Sequence, residues 1–218
     1  QIHRHMLTHL DRDSLLIINF VIEWGINNEV IELDDDVIRL KNSVELLIVL
    51  PFYGIFSNRF SLYIDWSEFE QYITNILAKH GWEAYINYRH SKVERFQVDV
   101  IAVDDVLKIA MFIECKHWKK TSPTYSGIEH IVENHLRRVD KYLKCCEWVC
   151  ARLSKLRHAK YILPVIIVLH EFPTKILKGV PIVPIHNVND FVANIDTYID
   201  SLNIRLISNR CYVESDQR

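Results

Sequence analysis

The sequence predicts a mixed sheet flanked by helices, α/β or α+β in class. Three observations carry this expectation. From Asp65 onward, segments of helical period alternate with short apolar runs, in the order helix, three-stranded meander, helix, strand, strand, helix. The runs "FQVDVIAV" and "YILPVIIVLHEF" are rich in the β-branched residues that strands favour. No repeat, low-complexity tract or Pro/Gly-rich linker interrupts the order.

Residues 13–27 read as a helix, with Leu15, Leu16, Ile18, Phe20, Val21 and Ile22 as its apolar side. "EVIELDDDVIRL" alternates around an acidic centre and suggests a hairpin. "SVELLIVLPFYGIF" reads as helix or strand, and Pro51 interrupts it. Residues 1–64 are therefore expected to form an N-terminal helix-plus-hairpin extension or small accessory module. A winged-helix-like unit would have this order too, but the acidic balance of the segment argues against DNA contact there.

Residues 65–218 form the expected main domain. Its first helix has Ser67 and Glu70 in capping-box spacing, an apolar stripe of Phe69, Tyr72, Ile73, Ile76 and Leu77, and Gly81 as its stop. Strands follow at 82–89, 96–103 and 106–117, with Asp104-Asp105 as a tight turn between the second and third. A long helix then keeps its spacing from Ile128 through Val132, Val139 and Cys146 to Leu153, with Ser126 and Glu129 as a second capping box. "YILPVIIVLHEF" and "VPIVPIH" supply further strands, and "NVNDFVANIDTYIDSL" a closing helix.

The profile is globular, with 49% hydrophobic and 25% charged residues among 218. Five glycines leave no room for a Gly-rich phosphate loop, which sets aside the usual nucleotide-binding enzymes. Five cysteines, with no C-x-x-C pair, point to buried reduced thiols rather than a disulfide framework or zinc ribbon. The polar opening "QIHRHMLTHLDRD" does not read as a secretory signal, and the apolar runs fall short of the ~20 residues that span a bilayer. A cytoplasmic protein without membrane contact is expected. The net charge of −2 hides an asymmetry: residues 1–64 carry five Lys/Arg against nine Asp/Glu, and residues 79–160 sixteen against ten. The basic excess suits a polyanionic partner such as nucleic acid.

Within that basic segment, "KIAMFIECKHWKK" ends a strand with charge. Side chains alternate along a strand, so Glu114 and Lys116 share a face. Asp99 lies on the neighbouring strand. A two-residue turn would set it opposite about position 110, so a bulge or a longer loop is needed to bring it level with Glu114. Buried carboxylates are costly unless paired or metal-bound, and two together repel. A divalent cation such as Mg²⁺ resolves the conflict, and a lysine beside it can orient water or offset charge on a phosphorane-like transition state. This is a coherent phosphodiesterase site. Lys119, Lys120, Thr121, Ser122 and the following helix N-terminus could hold backbone phosphates. By contrast, His130, Glu133 and His135 read as a solvated helix face, with Glu133 paired to Arg137.

Asp99, fourteen intervening residues and then Glu114-Cys115-Lys116 resemble the PD-(D/E)xK nuclease motif. The "ECK" form, after a helix with Phe69, Glu70, Ile73, Leu77, Gly81 and Trp82, is similar to Mrr-type restriction endonucleases and archaeal Holliday-junction resolvases. The resemblance covers roughly residues 65–175 and implies a restriction-endonuclease-like fold that cleaves DNA with Mg²⁺, or with Mn²⁺ as a substitute. It implies Asp99 and Glu114 as metal ligands, the Cys115 backbone carbonyl as a third, Lys116 as the catalytic lysine and Glu70 as a further catalytic or metal-binding carboxylate. DNA is the implied partner, with a homodimer as one expected assembly. Val98 stands where the motif has Pro, and no Gly follows Ser91 as in the resolvase loop. The alternatives to a restriction-type endonuclease are a junction resolvase and a non-catalytic nucleic-acid-binding module that kept the fold.

Overall fold

The computed structural model describes residues 2–3, 7, 9–50, 64–116, 124–169 and 171–214. The chain divides into two compact units, Gln1–Glu68 and Phe69–Arg218. In the first, helix α1 (Arg12–Asn27) starts where the Asp11 side chain accepts the Ser14 amide. Strands β2 (Ile31–Asp34) and β3 (Val37–Leu40) form the expected hairpin, with Asp35 in the left-handed region at its turn and β1 (Ile2–His3) added at the other edge of β3. Ile22, Ile31 and Ile38 make a small core. The first half of the ambiguous stretch is a helix, α2 (Ser43–Val49), which Asn42 caps by accepting the Glu45 amide, and its residues 51–56 lie outside the described residues.

Helix α3 (Trp66–Lys79) leads into the second unit. Its cap is Asp65, whose Oδ1 accepts the Ser67 amide and hydroxyl at 2.9 Å, so Ser67 lies inside the first turn and not at the expected N-cap. A mixed sheet follows, with strand order β4 (Glu83–His90), β5 (Phe96–Asp104), β6 (Ile109–Lys116), β7 (Tyr161–Val168), β9 (Val180–Pro184) and β8 (Ile176–Leu177). The short β10 (Ile207–Ser208) pairs with the start of β7. The meander β4–β5–β6 is antiparallel, whereas β6–β7 and β7–β9 are parallel. This mixed sheet with flanking helices is the restriction-endonuclease-like class read from the sequence.

Helix α4 (Tyr125–Cys150) spans the sheet. Its early residues Ile128 and Val132 pack with Ile166, Val168, Val180 and Ile182. Its later residues Val139, Tyr142 and Val149 pack with Ile101, Val103, Ala110 and Phe112. The Phe112 and Tyr142 rings meet edge-on at 4.9 Å, and burying each contributes about 2–3 kcal/mol. The middle of α4 is thereby held over β6. Thr124, not Ser126, caps this helix, accepting the Gly127 amide at 3.3 Å. The expected single closing helix is two short ones, α5 (Val188–Ala193) and α6 (Ile195–Ser201), meeting at the non-helical Asn194.

One cysteine expectation is overturned. Cys146 and Cys211 form a disulfide across 65 residues, tying the chain end to α4, while Cys115, Cys145 and Cys150 are free and buried. The helix and the tail are far apart in sequence, so spacing alone could not pair them. Asn209 reinforces the same junction: its side-chain amide donates to the Leu156 and Ala159 carbonyls at 2.8 Å, and Tyr142 donates to its Oδ1 at 3.1 Å. Among the described residues, no helix is long and apolar enough to cross a membrane.

Candidate active site

The site begins with the register of β5 and β6. Asp104 Oδ1 accepts the amides of Val106 and Leu107 at 2.7 and 2.8 Å. That closure, with Lys108 in the left-handed region, makes a four-residue turn of 105–108 instead of the expected Asp104-Asp105 turn. Pairing runs from Asp104↔Ile109 to Val100↔Ile113. Continued by one residue, the same register sets Asp99 level with Glu114, the longer-loop alternative named above.

Regular pairing stops at that level. The Cys115 amide donates to Asp99 Oδ2 at 2.8 Å. A side chain thus takes the amide where the described ladder ends. On the other flank, β4 pairs Ile86 with Val100 and Tyr88 with Val98 but leaves out Asn87, which lies at φ 54 opposite Asp99. Asparagine tolerates that backbone region, and such irregularities concentrate on edge strands. Asn87 Nδ2 donates to Glu70 Oε2 at 2.6 Å, and Gln97 Nε2 donates to Asn87 Oδ1 at 3.3 Å. The distortion of β4 thus ties α3's glutamate to the strand beside Asp99.

Glu114 is 3% exposed and ion-paired on both oxygens. Lys116 Nζ lies 2.7 Å from Oε1, as their two-residue spacing on β6 allows, and Arg138 Nη1 from α4 donates to Oε2. Asp99 is also buried. Its carboxyl is pushed up to about 6, first by burial and then by the charge of Glu114, with Glu70 adding to the rise and the Cys115 amide and Lys116 opposing it. Burial pushes the Cys115 thiol far up as well, which keeps the sulfur protonated and inert.

The structure therefore brings Asp99, Glu114, Cys115, Lys116 and Glu70 into one neighbourhood. Lys119, Lys120, Thr121 and Ser122 lie outside the described residues. Among the described residues no three His, Cys, Asp or Glu side chains stand close enough to ligate one ion. The donor chemistry still suits a hard divalent cation: two neighbouring buried carboxylates, one raised by the other's charge, are an oxygen donor set.

Sequence reasoning missed Arg138, Asn87 and His135. His135, expected on a solvated face, is fully buried, and its Nε2 lies 2.8 Å from the Phe112 carbonyl of β6. Burial drives its pKa down to about 4, so the ring is neutral. The reason is position: α4 crosses the sheet and turns His135 inward, whereas His130 on the same helix is exposed. Arg137 does pair with Glu133, at 3.7 Å.

Residues 62–138 match the Mrr_cat family, described as a restriction endonuclease. That family is of the PD-(D/E)xK type. An uncharacterized protein of Archaeoglobus fulgidus is 26% identical over 135 residues, which cover 62% of this chain and 94% of that protein. Protein VC1899 from Vibrio cholerae is 11% identical with a TM-score of 0.38, over 88% of this chain and 45% of its own. The protein of unknown function AF1548 is 22% identical with a TM-score of 0.27, over 48% of each chain. This chain spans about half the length of both solved chains. The Mrr-type match supports a nuclease of restriction-endonuclease type.

Proposed function

We propose that the chain is a Mg²⁺-dependent endodeoxyribonuclease that hydrolyses phosphodiester bonds in DNA. The observation that carries this reading is the meeting of Asp99, Glu114 and Lys116 where the β5–β6 pairing opens. A restriction-endonuclease match over the same segment supports it.

Asp99 and Glu114, with the Cys115 backbone carbonyl, would hold the cation. Bound there, Mg²⁺ supplies Lewis acidity to the phosphate and lowers the pKa of a coordinated water. The remaining work falls to the chain itself. The Cys115 amide fixes the Asp99 carboxylate in place. Glu114 holds Lys116 Nζ at 2.7 Å, so the ammonium is oriented before substrate arrives. From there it can donate to the attacking water and to the non-bridging oxygen on which charge grows. Glu70, steadied by Asn87, adds a further acceptor near Asp99 and would orient water.

The test is incubation of the purified chain with supercoiled, linear and four-way-junction DNA, with Mg²⁺, with Mn²⁺ and with chelator. Metal-dependent nicking of the duplex forms is the expected outcome. Cleavage confined to the junction would move the reading to a resolvase. DNA binding without cleavage on any substrate would move it to a binding module.

A further inference from the structure

We propose that Arg138 neutralises Glu114 in the metal-free protein and is a DNA-phosphate ligand in the working one, exchanging Glu114 for a backbone phosphate when a divalent ion takes the carboxylate. The inference rests on the nuclease reading above. Glu114's side chain is 4% exposed, and a carboxylate so buried needs compensation at all times. Lys116 covers one oxygen and Arg138 the other. With both oxygens taken by cationic side chains, a divalent ion can reach Glu114 only by displacing one of them.

Arg138 is suited to both roles. Its backbone is fixed, because His135, three residues earlier on α4, is fully buried and bonded to the Phe112 carbonyl of the strand that carries Glu114. Its own side chain is 32% exposed, so the guanidinium can reach solvent without moving the helix. The planar fork pairs equally with carboxylate and with phosphate, and it stays charged throughout. Neighbouring Arg137 is engaged elsewhere, with Asn134 and Glu133, and offers no substitute.

The experiment measures two affinities on the full chain with Arg138 intact or changed to Ala. One is Mn²⁺ binding without DNA, by calorimetry. The other is duplex binding in Ca²⁺, which blocks chemistry. Removing the competing charge should tighten Mn²⁺ roughly tenfold, and losing a phosphate contact should weaken DNA roughly tenfold. Opposite signs are the signature, since a residue that only supports the fold would weaken both or neither. Mn²⁺ affinity that stays the same or falls in R138A overturns the proposal. A wild-type chain that binds no Mn²⁺ overturns the nuclease reading beneath it. If R138A does not fold, the guanidinium resonance of the wild-type protein, assigned by its loss in R138K, decides. It should shift on saturation with Mg²⁺ alone, and an unmoved resonance overturns the exchange.

Discussion

The two ends of the β5–β6 hairpin hold the same residue type in opposite circumstances. At the turn, Asp104 accepts two backbone amides at the protein surface. Five residues away, Asp99 accepts one amide, is buried, and faces a second carboxylate. The first aspartate is satisfied and does structural work. The second is left with unfavourable burial and repulsion that a proton or a cation would relieve. Similar hydrogen bonds thus separate a turn former from a candidate ligand through what lies behind them. Burial and neighbouring charge decide the role, not the residue type.

The sharpest way to break this contrast is to remove the charges at the open end. Lys116→Ala, Asp99→Asn and Glu114→Gln should each lower Mg²⁺-dependent plasmid nicking by about a thousandfold or more. DNA binding by Lys116→Ala, read in Ca²⁺, should fall only modestly. Nicking at wild-type rates in any of the three would remove that residue from the site.

Glu70 tests how far the open end extends. Asn87 donates to it across the β4 distortion, and the helix is capped by Asp65 and not by Ser67. Glu70→Gln should therefore cut nicking by roughly ten- to a hundredfold while the fold survives, because water orientation is weakened but the two central carboxylates remain. A variant with full activity across a Mg²⁺ titration would reduce Glu70 to a structural role.

What was legible in the sequence follows the same division. The strands and helices of the main domain were readable because their apolar patterns are strong and local. The ECK triplet was readable because two residues on one strand share a face whatever the partner strand does. The register was not, since a four-residue turn and a two-residue one fit the same letters yet set different residues level with Glu114. Arg138, His135 and the Cys146–Cys211 bond were unreadable for a related reason. Each depends on where α4 crosses the sheet or where the chain end returns, and no local period encodes that.

Acid titration of the chelated protein sharpens the comparison through two opposed groups. Asp99 is raised from its ordinary 3.8 to about 6, so its contribution to stability is full below 3.8 and is lost as pH rises through 6. His135 is lowered from 6.5 to about 4, so its contribution is full above 6.5 and is lost as pH falls through 4. Urea unfolding should show Asp99→Asn gaining on the order of 2 kcal/mol over wild type at pH 7.5 and little at pH 3.5. His135→Gln should remove the loss that this ring contributes as pH falls from 6.5 to 4 and leave the Asp99 gain unopposed. An Asp99→Asn variant with no pH-dependent gain would mean that Glu114 is already fully neutralised by Lys116 and Arg138.

The smallest effect belongs to the closed end and asks what holds the register. Asp104→Ala removes both amide contacts of the turn, but those amides can turn to water, so the cost should be about 1 kcal/mol in urea unfolding. Nicking should stay within about twofold of wild type, because cross-strand pairs such as Ala102↔Met111 and Val100↔Ile113, together with the eight-residue parallel ladder to β7, fix β6 independently of the turn. A one-residue slip would exchange the residues that β5 packs on its two buried faces and break both sets of contacts, far costlier than two exposed amides. If nicking instead falls as steeply as in Asp99→Asn, the turn rather than the apolar ladder sets Asp99 against Glu114. The two aspartates would then be parts of one device, with Asp104 fixing the position that Asp99 uses.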